Sequence, residues 1–458
     1  MEQTKKFNEL GEKPVGSLLM QYAIPAIIAM TASSLYHIID GIFIGQGVGK
    51  EAIMGLALTG PLMSLTAAFG AMVGVGGSTL MSVKLGQKDY DTARTILGNV
   101  VTMNLTMGVA LGVVLLLALD PILRFFGASD VTIGPARDFM TVILAGNVVT
   151  HLYLGLNALL RSTNRPRQAM YATFGTVALN CVFAPMFIFV FDWGIKGAAF
   201  ATIISQTLML LWELRLFMSP EEPIKLEKSR LPIRMVILKE SLLIGAPNFL
   251  INLCACMVAI FVTRSMTMYG GDVAVGAFGI VNRLVIFIVM VVIGLNQGMQ
   301  PIAGYNYGAR RYDRILRVLK LSVIVATCIT TFGFVVGTFF PVPCVTLFAK
   351  DSPELIDAAA HGLSIFVMCF PFIGVQIVST AFFQSIGHAG KSILLSLTRQ
   401  LIFLLPAILI IPQFMENKVD GVWYAGPFSD AMATLVSVFL LFKQVKMLRE
   451  GIQSQTVS

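Results

Sequence analysis

The sequence GQKDYD at residues 86–91 recurs as GARRYD at residues 308–313, 222 positions further along the chain. Offsets of 222 to 224 pair further residues from one end of the chain to the other: Pro25 with Pro247, Gly76 with Gly298, Ser162 with Ser385, and Ser205 with Ser429. Chance supplies one or two such matches, whereas a steady register indicates a duplication. The charged segment 219–238 is predicted to be a cytoplasmic linker between an N-terminal lobe, residues 1–218, and a C-terminal lobe, residues 239–458.

The composition indicates a membrane protein. Of the 458 residues, 56% are hydrophobic and 13% are charged, whereas a soluble domain carries about 25% charged residues. This composition excludes both a water-soluble protein and a disordered chain. A membrane-spanning helix needs about 20 apolar residues. The apolar stretches predict twelve spans: 15–45, 52–83, 94–119, 132–160, 167–191, 196–218, 239–268, 274–304, 315–340, 354–384, 392–412 and 421–443.

The predicted fold is an all-α polytopic membrane protein with twelve transmembrane helices in two pseudo-symmetric six-helix bundles. Because six is even, both halves enter the membrane in the same direction, and a two-fold axis along the membrane normal is expected to relate them. Bundles packed in this way leave a central cleft that rocking can open to either side. Such a duplication is typical of a transporter rather than an enzyme.

The basic residues predict the orientation in the membrane. With the N-terminus inside, and with basic residues near the ends of the spans counted with the adjoining segments, the cytoplasmic segments hold 24 of the 33 Lys and Arg residues, the outer segments hold 6, and the spans hold 3. Since basic residues concentrate in cytoplasmic loops, both termini are expected in the cytoplasm, with the chain in a prokaryotic plasma (inner) membrane. This bias also explains the net charge of +8, so no nucleic-acid partner is expected.

No metal, no organic cofactor and no enzyme centre are predicted. The six cysteines lie mostly in apolar runs and form no C-x-x-C pair, which is typical of buried free thiols. A stretch that resembles a phosphate-binding loop, residues 385–392, has Ser385 where the first glycine is needed. No credible nucleophile–base pair occurs in the chain.

Two acids, Asp40 and Asp430, lie well inside predicted spans. A carboxylate at mid-helix costs about 2.5–3.5 kcal/mol, so it is a candidate for function. Arg283 lies at similar depth in the same half as Asp430, which favours a structural ion pair. Asp40 has no basic residue in the predicted spans of its own half, and Tyr36 and His37 lie on its helix face. A carboxyl without a cationic partner in apolar surroundings can bind a proton near neutral pH.

Other polar residues of the first half could complete a binding site: Asn147, His151, Asn157, Asn180, Thr202, Ser205 and Gln206. A single residue of this kind is more often a hydrogen bond between helices than a ligand. His37 and His151 are likewise more often satisfied core histidines. Oxygens from Asp40, Asn180 and Thr202 could hold Na⁺, although three oxygens are few for this ion.

Several motifs resemble those of the MATE family (multidrug and toxic compound extrusion), and the likeness extends over nearly the whole chain. They are Y-x-x-x-D-x-x-F-I-G at residues 36–45, GQKDYD at 86–91, ALLRS at 158–162, GAA-x-AT at 197–202 and FFQS-x-G at 382–387. The MepA-type branch is the most similar. The resemblance implies a V-shaped pair of six-helix lobes that exports organic cations against an inward flow of H⁺ or Na⁺.

The resemblance also implies roles for individual residues. Asp40 matches the acid of helix 1 that carries the coupling ion, Asn180 and Thr202 match polar residues of helices 5 and 6, and Pro25 matches the proline linked to bending of helix 1. The family often has an N-x-x-x-D-P sequence, but here Ala184 replaces its aspartate. With one carboxylate instead of two, the site is a poorer cage for Na⁺, which favours H⁺.

An alternative is a flippase for a lipid-linked saccharide, since flippases of the wider superfamily share such duplications. A flippase cavity needs several cations facing a pyrophosphate. Apart from the basic residues counted above with the adjoining segments, the predicted spans contain only Arg264, Arg283 and Arg399, all in the second half, which favours the exporter. The expected partners are small-molecule substrates and the lipid bilayer, and the expected oligomeric state is a monomer.

Overall fold

The computed structural model describes residues 9–48, 50–220, 222–348 and 352–457. Within these ranges the chain is almost entirely helical. The helices of the first half are α1 (Val15–Gly47), α2 (Lys50–Gly86), α3 (Tyr90–Leu117), α4 (Leu119–Phe125), α5 (Ile133–Ala145), α6 (Asn147–Ser162), α7 (Pro166–Pro185), a π-helical turn (Met186–Val190) and α8 (Gly194–Met218). A short 3₁₀ turn, Lys228–Arg230, lies in the linker.

The second half repeats this order. Its helices are α9 (Met235–Gly308), α10 (Tyr312–Phe339), α11 (Pro341–Thr346), α12 (Pro353–Phe366), α13 (Phe370–Ser385), α14 (Ala389–Leu397), a π-helical segment (Thr398–Leu404), α15 (Leu405–Ile410), a 3₁₀ turn (Ile411–Gln413) and α16 (Lys418–Val457). The short helices α4 and α11 begin 222 residues apart, which is the offset of the sequence repeat.

The described helices account for the predicted spans. Nine are long and apolar enough to cross a membrane, and two bent pairs raise the number to eleven. One of the nine, α9, has 74 residues and contains Gly271 in a non-helical conformation (φ 63°, ψ −157°). At about 1.5 Å per residue it is far longer than one crossing needs, so it comprises the seventh and eighth predicted spans.

Two predicted spans, 132–160 and 354–384, are not straight helices. The first consists of α5 and α6, which meet at Gly146 with a bend of 55°, and the second consists of α12 and α13 with a bend of 60°. The breaks occur at equivalent positions of the repeat. Hydropathy does not reveal such breaks, because the residues on both sides remain apolar.

By its internal contacts the chain divides into two compact units. Unit 1 contains Met1–Lys13, Ile24–Phe249 and Gly304–Ala309, and unit 2 contains Pro14–Ala23, Leu250–Ala303 and Arg310–Ser458. Each unit has its own apolar core. The predicted lobes, which are separated at residues 219–238, follow the sequence repeat rather than these contacts. That division stays a prediction.

Two helices of unit 1 cross at glycines. A Cβ atom on Gly76 of α2 would lie 1.8 Å from the carbonyl oxygen of Ser241, and one on Gly245 of α9 would lie 1.9 Å from the carbonyl oxygen of Met72. Real Cβ atoms do not approach other atoms so closely. Glycine at both positions therefore allows the two backbones to touch, as small residues do in membrane helix pairs.

The linker packs against α3 within unit 1. The Asn99 side chain donates to the carbonyl oxygens of Arg230 (3.2 Å) and Pro232 (3.0 Å), and it accepts a hydrogen bond from the backbone N–H of Arg234 (2.7 Å). Arg230 also forms a 2.5 Å ion pair with Asp91. The hydrogen bond from the Arg230 guanidinium to the Asp91 carboxylate raises the pKa of Arg230. These contacts hold the linker on the end of α3.

Candidate functional site

Asp40 is buried in the second half of α1. The residue is only 8% exposed, and its Oδ1 atom has no hydrogen-bond partner among the described residues. α1 runs without interruption from Val15 to Gly47, with the buried Pro25 inside it. The side chains of Tyr36 and His37 lie outside the described residues. A buried carboxylate oxygen without a partner needs a ligand or a proton to be stabilised.

A polar pair on α7 and α8 forms the second part of the site. The amide nitrogen of Asn180 lies 3.0 Å from the hydroxyl oxygen of Thr202. Both residues are buried. Ile44, one helical turn after Asp40, belongs to the same apolar core as Ala184, one turn after Asn180. The structure therefore brings the predicted Asn180 and Thr202 together, and Asp40 lies one turn from the same apolar core.

Small residues position this pair. In the sequence GAAFAT, residues 197–202, the alanines Ala198, Ala199 and Ala201 have no exposed surface. A Cβ atom on Gly197 would lie 3.0 Å from the backbone of Phe187. Because the buried residues of this stretch before Thr202 are only glycine and alanine, the start of α8 lies directly against the π-helical turn after α7, and Thr202 reaches Asn180.

Ala184 lies where a second acid would stand. It is one helical turn after Asn180, has no exposed surface and belongs to an apolar core that includes Ile44 and Phe187. No described group of three or more His, Cys, Asp or Glu residues could hold a metal ion. The described site thus contains a single carboxylate and two neutral polar side chains.

Three of the other predicted polar residues, His151, Gln206 and Asn147, make hydrogen bonds between helices, whereas the buried hydroxyl of Ser205 has no partner among the described residues. One ring nitrogen of the fully buried His151 lies 2.9 Å from the carbonyl oxygen of Thr66. Thr150 donates to the side-chain oxygen of Gln206 (2.6 Å). The amide of Asn147 donates to the carbonyl oxygen of Gly108 (3.2 Å). These bonds join α6 to α2, α8 and α3.

Asn157 belongs to a buried network that the sequence analysis missed. Its amide nitrogen donates to a carboxylate oxygen of Glu213 (3.1 Å), and its amide oxygen accepts from Arg161 (2.7 Å). Glu213 has no exposed surface. Glu213 lies near the end of the predicted span 196–218 and is not one of the two acids predicted to lie well inside a span. Its spacing of seven residues from Gln206, on the same face of α8, is the signal that could have identified it.

The predicted ion pair of Asp430 with Arg283 is wrong. Asp430 is 2% exposed and accepts a 2.7 Å hydrogen bond from the guanidinium of Arg399, whereas Arg283 is exposed. Arg399 lies in the π-helical segment Thr398–Leu404, and its carbonyl oxygen accepts a 2.6 Å hydrogen bond from Ser429. A π-helical turn shifts the residues that face a neighbouring helix, and depth in the membrane alone does not reveal that shift.

The ion pair of Arg399 with Asp430 should stabilise the folded protein. Substituting Arg399→Gln leaves a buried carboxylate without its partner, so we expect a loss of roughly 3–5 kcal/mol in the free energy of unfolding. The double variant Arg399→Gln/Asp430→Asn should recover much of this loss. Arg283→Gln is the control and should change stability by no more than about 0.5 kcal/mol. Thermal unfolding of the purified variants measures all three, and additive losses in the double variant would contradict the pairing.

Two compact helical units, the first with a buried carboxylate whose Oδ1 atom has no partner among the described residues, fit a multi-pass membrane transporter. The MatE family model matches residues 25–186 and 247–409, one match in each half. The chain belongs to the MatE family. The resemblance seen in the sequence is thereby confirmed, and so is the predicted polytopic fold.

Similar proteins agree with this membership. The multidrug export protein MepA of Staphylococcus haemolyticus is 24% identical over 435 residues, which is 94% of each chain. MepA of Staphylococcus aureus strain MRSA252 is 25% identical over 443 residues. Among solved structures, the MATE multidrug transporter DinF-BH is 33% identical with a TM-score of 0.88, covering 94% of this chain and 96% of that one. An outward-facing MATE family transporter shares the fold with a TM-score of 0.91 at 22% identity, covering 98% and 99%.

Proposed function

We propose that this protein exports multiple organic, mainly cationic, compounds by alternating access, in exchange for protons that bind to Asp40. The observation that carries the proposal is the buried Asp40 carboxylate, whose Oδ1 atom has no partner among the described residues. Family membership supports transport, and the names of the MepA relatives and of DinF-BH support multidrug export.

The composition of the site favours H⁺ over Na⁺. A sodium ion is best held by several fixed oxygens and a permanent negative charge. The described site offers one carboxylate, the amide of Asn180 and the hydroxyl of Thr202, and the last two already bond to each other. A single proton, in contrast, neutralises Asp40 completely and removes a buried charge. Helix α1 can then relax or bend at Pro25.

The flippase alternative has less support. It needs several cations that face a pyrophosphate, and three arginines lie in the predicted spans. Arg399 is engaged by Asp430, which leaves Arg264 and Arg283. An exporter of cations requires no such cluster.

Transport in liposomes tests the proposal. Purified protein is reconstituted in vesicles with ethidium as a fluorescent cation, and gradients of H⁺ and of Na⁺ are imposed separately. We expect that a pH gradient alone drives ethidium transport in vesicles free of Na⁺. Either ion suffices energetically, because moving one charge across 100 mV releases about 2.3 kcal/mol. Transport that requires Na⁺ and does not respond to the pH gradient would overturn the assignment of H⁺.

Ala184→Asp is expected to increase the response of transport to a Na⁺ gradient. The new carboxylate would stand one turn from Asn180 and supply the second negative charge that the site lacks. Because Ala184 is fully buried among apolar residues, a lower melting temperature is expected as well. Ala184→Asn is the matched control, since it has nearly the same volume without the charge. An equal gain of Na⁺ response in both variants would show that the charge is not the cause.

We also propose that both termini are cytoplasmic. The support is the distribution of the basic residues: 24 lie on the side of the membrane that holds the N-terminus, and 6 lie on the opposite side. The relatives named MepA come from staphylococci, which fits the plasma membrane of a prokaryote.

A further inference from the structure

The two halves of the duplication differ on one helix face at the cytoplasmic end. At the offset of 222 residues, α3 of unit 1 corresponds to α10 of unit 2. Four positions on or just before α3 carry no positive charge and are replaced by cations in the repeat: Asp89 by Arg311, Thr92 by Arg314, Thr95 by Arg317, and Gly98 by Lys320. The duplicated helix has therefore become strongly basic in unit 2 alone.

In unit 1 the linker covers this face. Thr95 accepts a 3.2 Å hydrogen bond from the guanidinium of Arg230. A Cβ atom on Gly98 would lie 2.3 Å from the carbonyl oxygen of Arg230, so only glycine admits the linker here. Two arginines at this end are paired with acids: Arg230 binds Asp91 and Glu227, and Arg165 binds Glu222.

In unit 2 the equivalent face is uncovered. Arg317 and Lys320, which replace Thr95 and Gly98, are both exposed. Neither forms an ion pair with any residue that the structure describes. The charges of Arg311 and Arg317 both act on Arg314, with Asp313 as the nearby acid.

Helix α16 adds three more cations to the same end. A Cβ atom on Gly451 would lie 3.0 Å from the Tyr312 ring, so the last turns of α16 pack against the start of α10. Lys443, Lys446 and Arg449 precede this contact and are exposed. Lys320 and Lys443 are each eight residues from the contact, or about 12 Å along their helices. The charge of Lys443 also acts on Lys391.

We propose that this basic patch, formed by Arg317, Lys320, Lys443, Lys446 and Arg449, binds the headgroups of anionic phospholipids. In the described part of the chain, none of these five cations has an acidic partner, and all five are exposed. Lys and Arg at the ends of membrane helices attract anionic lipid headgroups, and arginine binds phosphate with strong charge-assisted hydrogen bonds. The leaflet is the cytoplasmic one, and that detail rests on the orientation proposed above.

The positive-inside bias does not explain the patch by itself. That bias requires basic residues on the cytoplasmic side, and cations paired with acids, as in the linker, satisfy it equally well. It gives no reason for replacing a face that binds the linker with one that carries exposed and unpaired cations. An anionic ligand at the level of the headgroups does give such a reason.

Lipid binding can be measured without transport. The detergent-solubilised full chain is titrated with fluorescent phosphatidylglycerol and, separately, with phosphatidylcholine of the same acyl chains. We expect tighter binding of phosphatidylglycerol. Arg317→Gln/Lys320→Gln and Lys443→Gln/Lys446→Gln should each weaken that binding by at least about fivefold, with little effect on phosphatidylcholine. A failure of H⁺-coupled export would leave this result unaffected, so the two proposals are tested separately.

The matched control is Lys84→Gln/Lys88→Gln, which removes two cations from the corresponding end of unit 1. It should leave the preference for phosphatidylglycerol intact. An equal loss in the control and in the patch variants would show a general effect of charge and overturn the site. Inorganic phosphate is added as a competitor, and displacement of the lipid at comparable concentration would identify a site for soluble anions instead.

Discussion

Asp40→Asn is expected to reduce export driven by a pH gradient to the background of protein-free vesicles. Asn has almost the same shape as Asp and keeps hydrogen-bonding capacity, but it cannot bind and release a proton. Asp40 is buried, and one of its carboxylate oxygens has no partner in the described part of the chain. Removing an uncompensated charge should leave the melting temperature unchanged or raise it. The loss would then be one of coupling rather than of folding.

Two controls separate coupling from other effects. Asp40→Glu retains a titratable carboxyl and should keep part of the response to the pH gradient. Thr202→Val removes the hydroxyl that lies against Asn180, and it should weaken export without abolishing the pH response. Undiminished pH-driven transport by Asp40→Asn in vesicles would show that the coupling proton binds elsewhere.

Gly76→Ala should destabilise the protein severely. The added methyl group would lie 1.8 Å from the Ser241 carbonyl oxygen, a backbone atom that cannot move aside as a flexible side chain can. Overpacking of this kind typically costs about 1–3 kcal/mol and occasionally more. The higher helix propensity of alanine, about 1 kcal/mol, works in the opposite direction. Because the clash is with backbone, we expect a net loss of at least about 2 kcal/mol, seen as a large drop in melting temperature and in folded yield.

Gly60→Ala is the matched control for this prediction. Gly60 lies in the same helix, and a Cβ atom placed there meets no atom within 4 Å. The substitution therefore gains helix propensity without a clash, and stability should stay the same or rise slightly. If Gly76→Ala melted like Gly60→Ala, the two backbones would not be in contact at this crossing.

The sequence was sufficient for features that depend on composition and periodicity. Apolar length predicted the spans, and the repeat of GQKDYD as GARRYD predicted the duplicated order of helices. Among the polar residues, Asn180 and Thr202 were predicted as possible ligands of one site, and they are hydrogen-bonded to each other. Their sequence separation of 22 residues gives no such indication by itself.

The remaining features depend on helix packing, which single positions do not encode. The partner of Asp430 is set by a π-helical segment that turns Arg399 towards it. The bend at Gly146 interrupts a stretch that is apolar on both sides. Glu213 was assigned to the end of a span, yet packing of α8 against α6 encloses it completely. In each case the outcome depends on which helix faces pack against each other, and this is determined only in the assembled bundle.

The composition of unit 1 has a consequence for biosynthesis. Its segments come from three separate parts of the chain, the last of which is Gly304–Ala309. The Asn306 amide donates to the Leu10 carbonyl oxygen at 3.0 Å, and a Cβ atom on Gly308 would lie 2.0 Å from the Val83 carbonyl oxygen. About two thirds of the chain must therefore be synthesised before all three segments of unit 1 are present. Until then, the earlier helices of unit 1 lie in the bilayer without their last packing partner. We therefore expect membrane proteases to degrade a nascent chain that is arrested before residue 304.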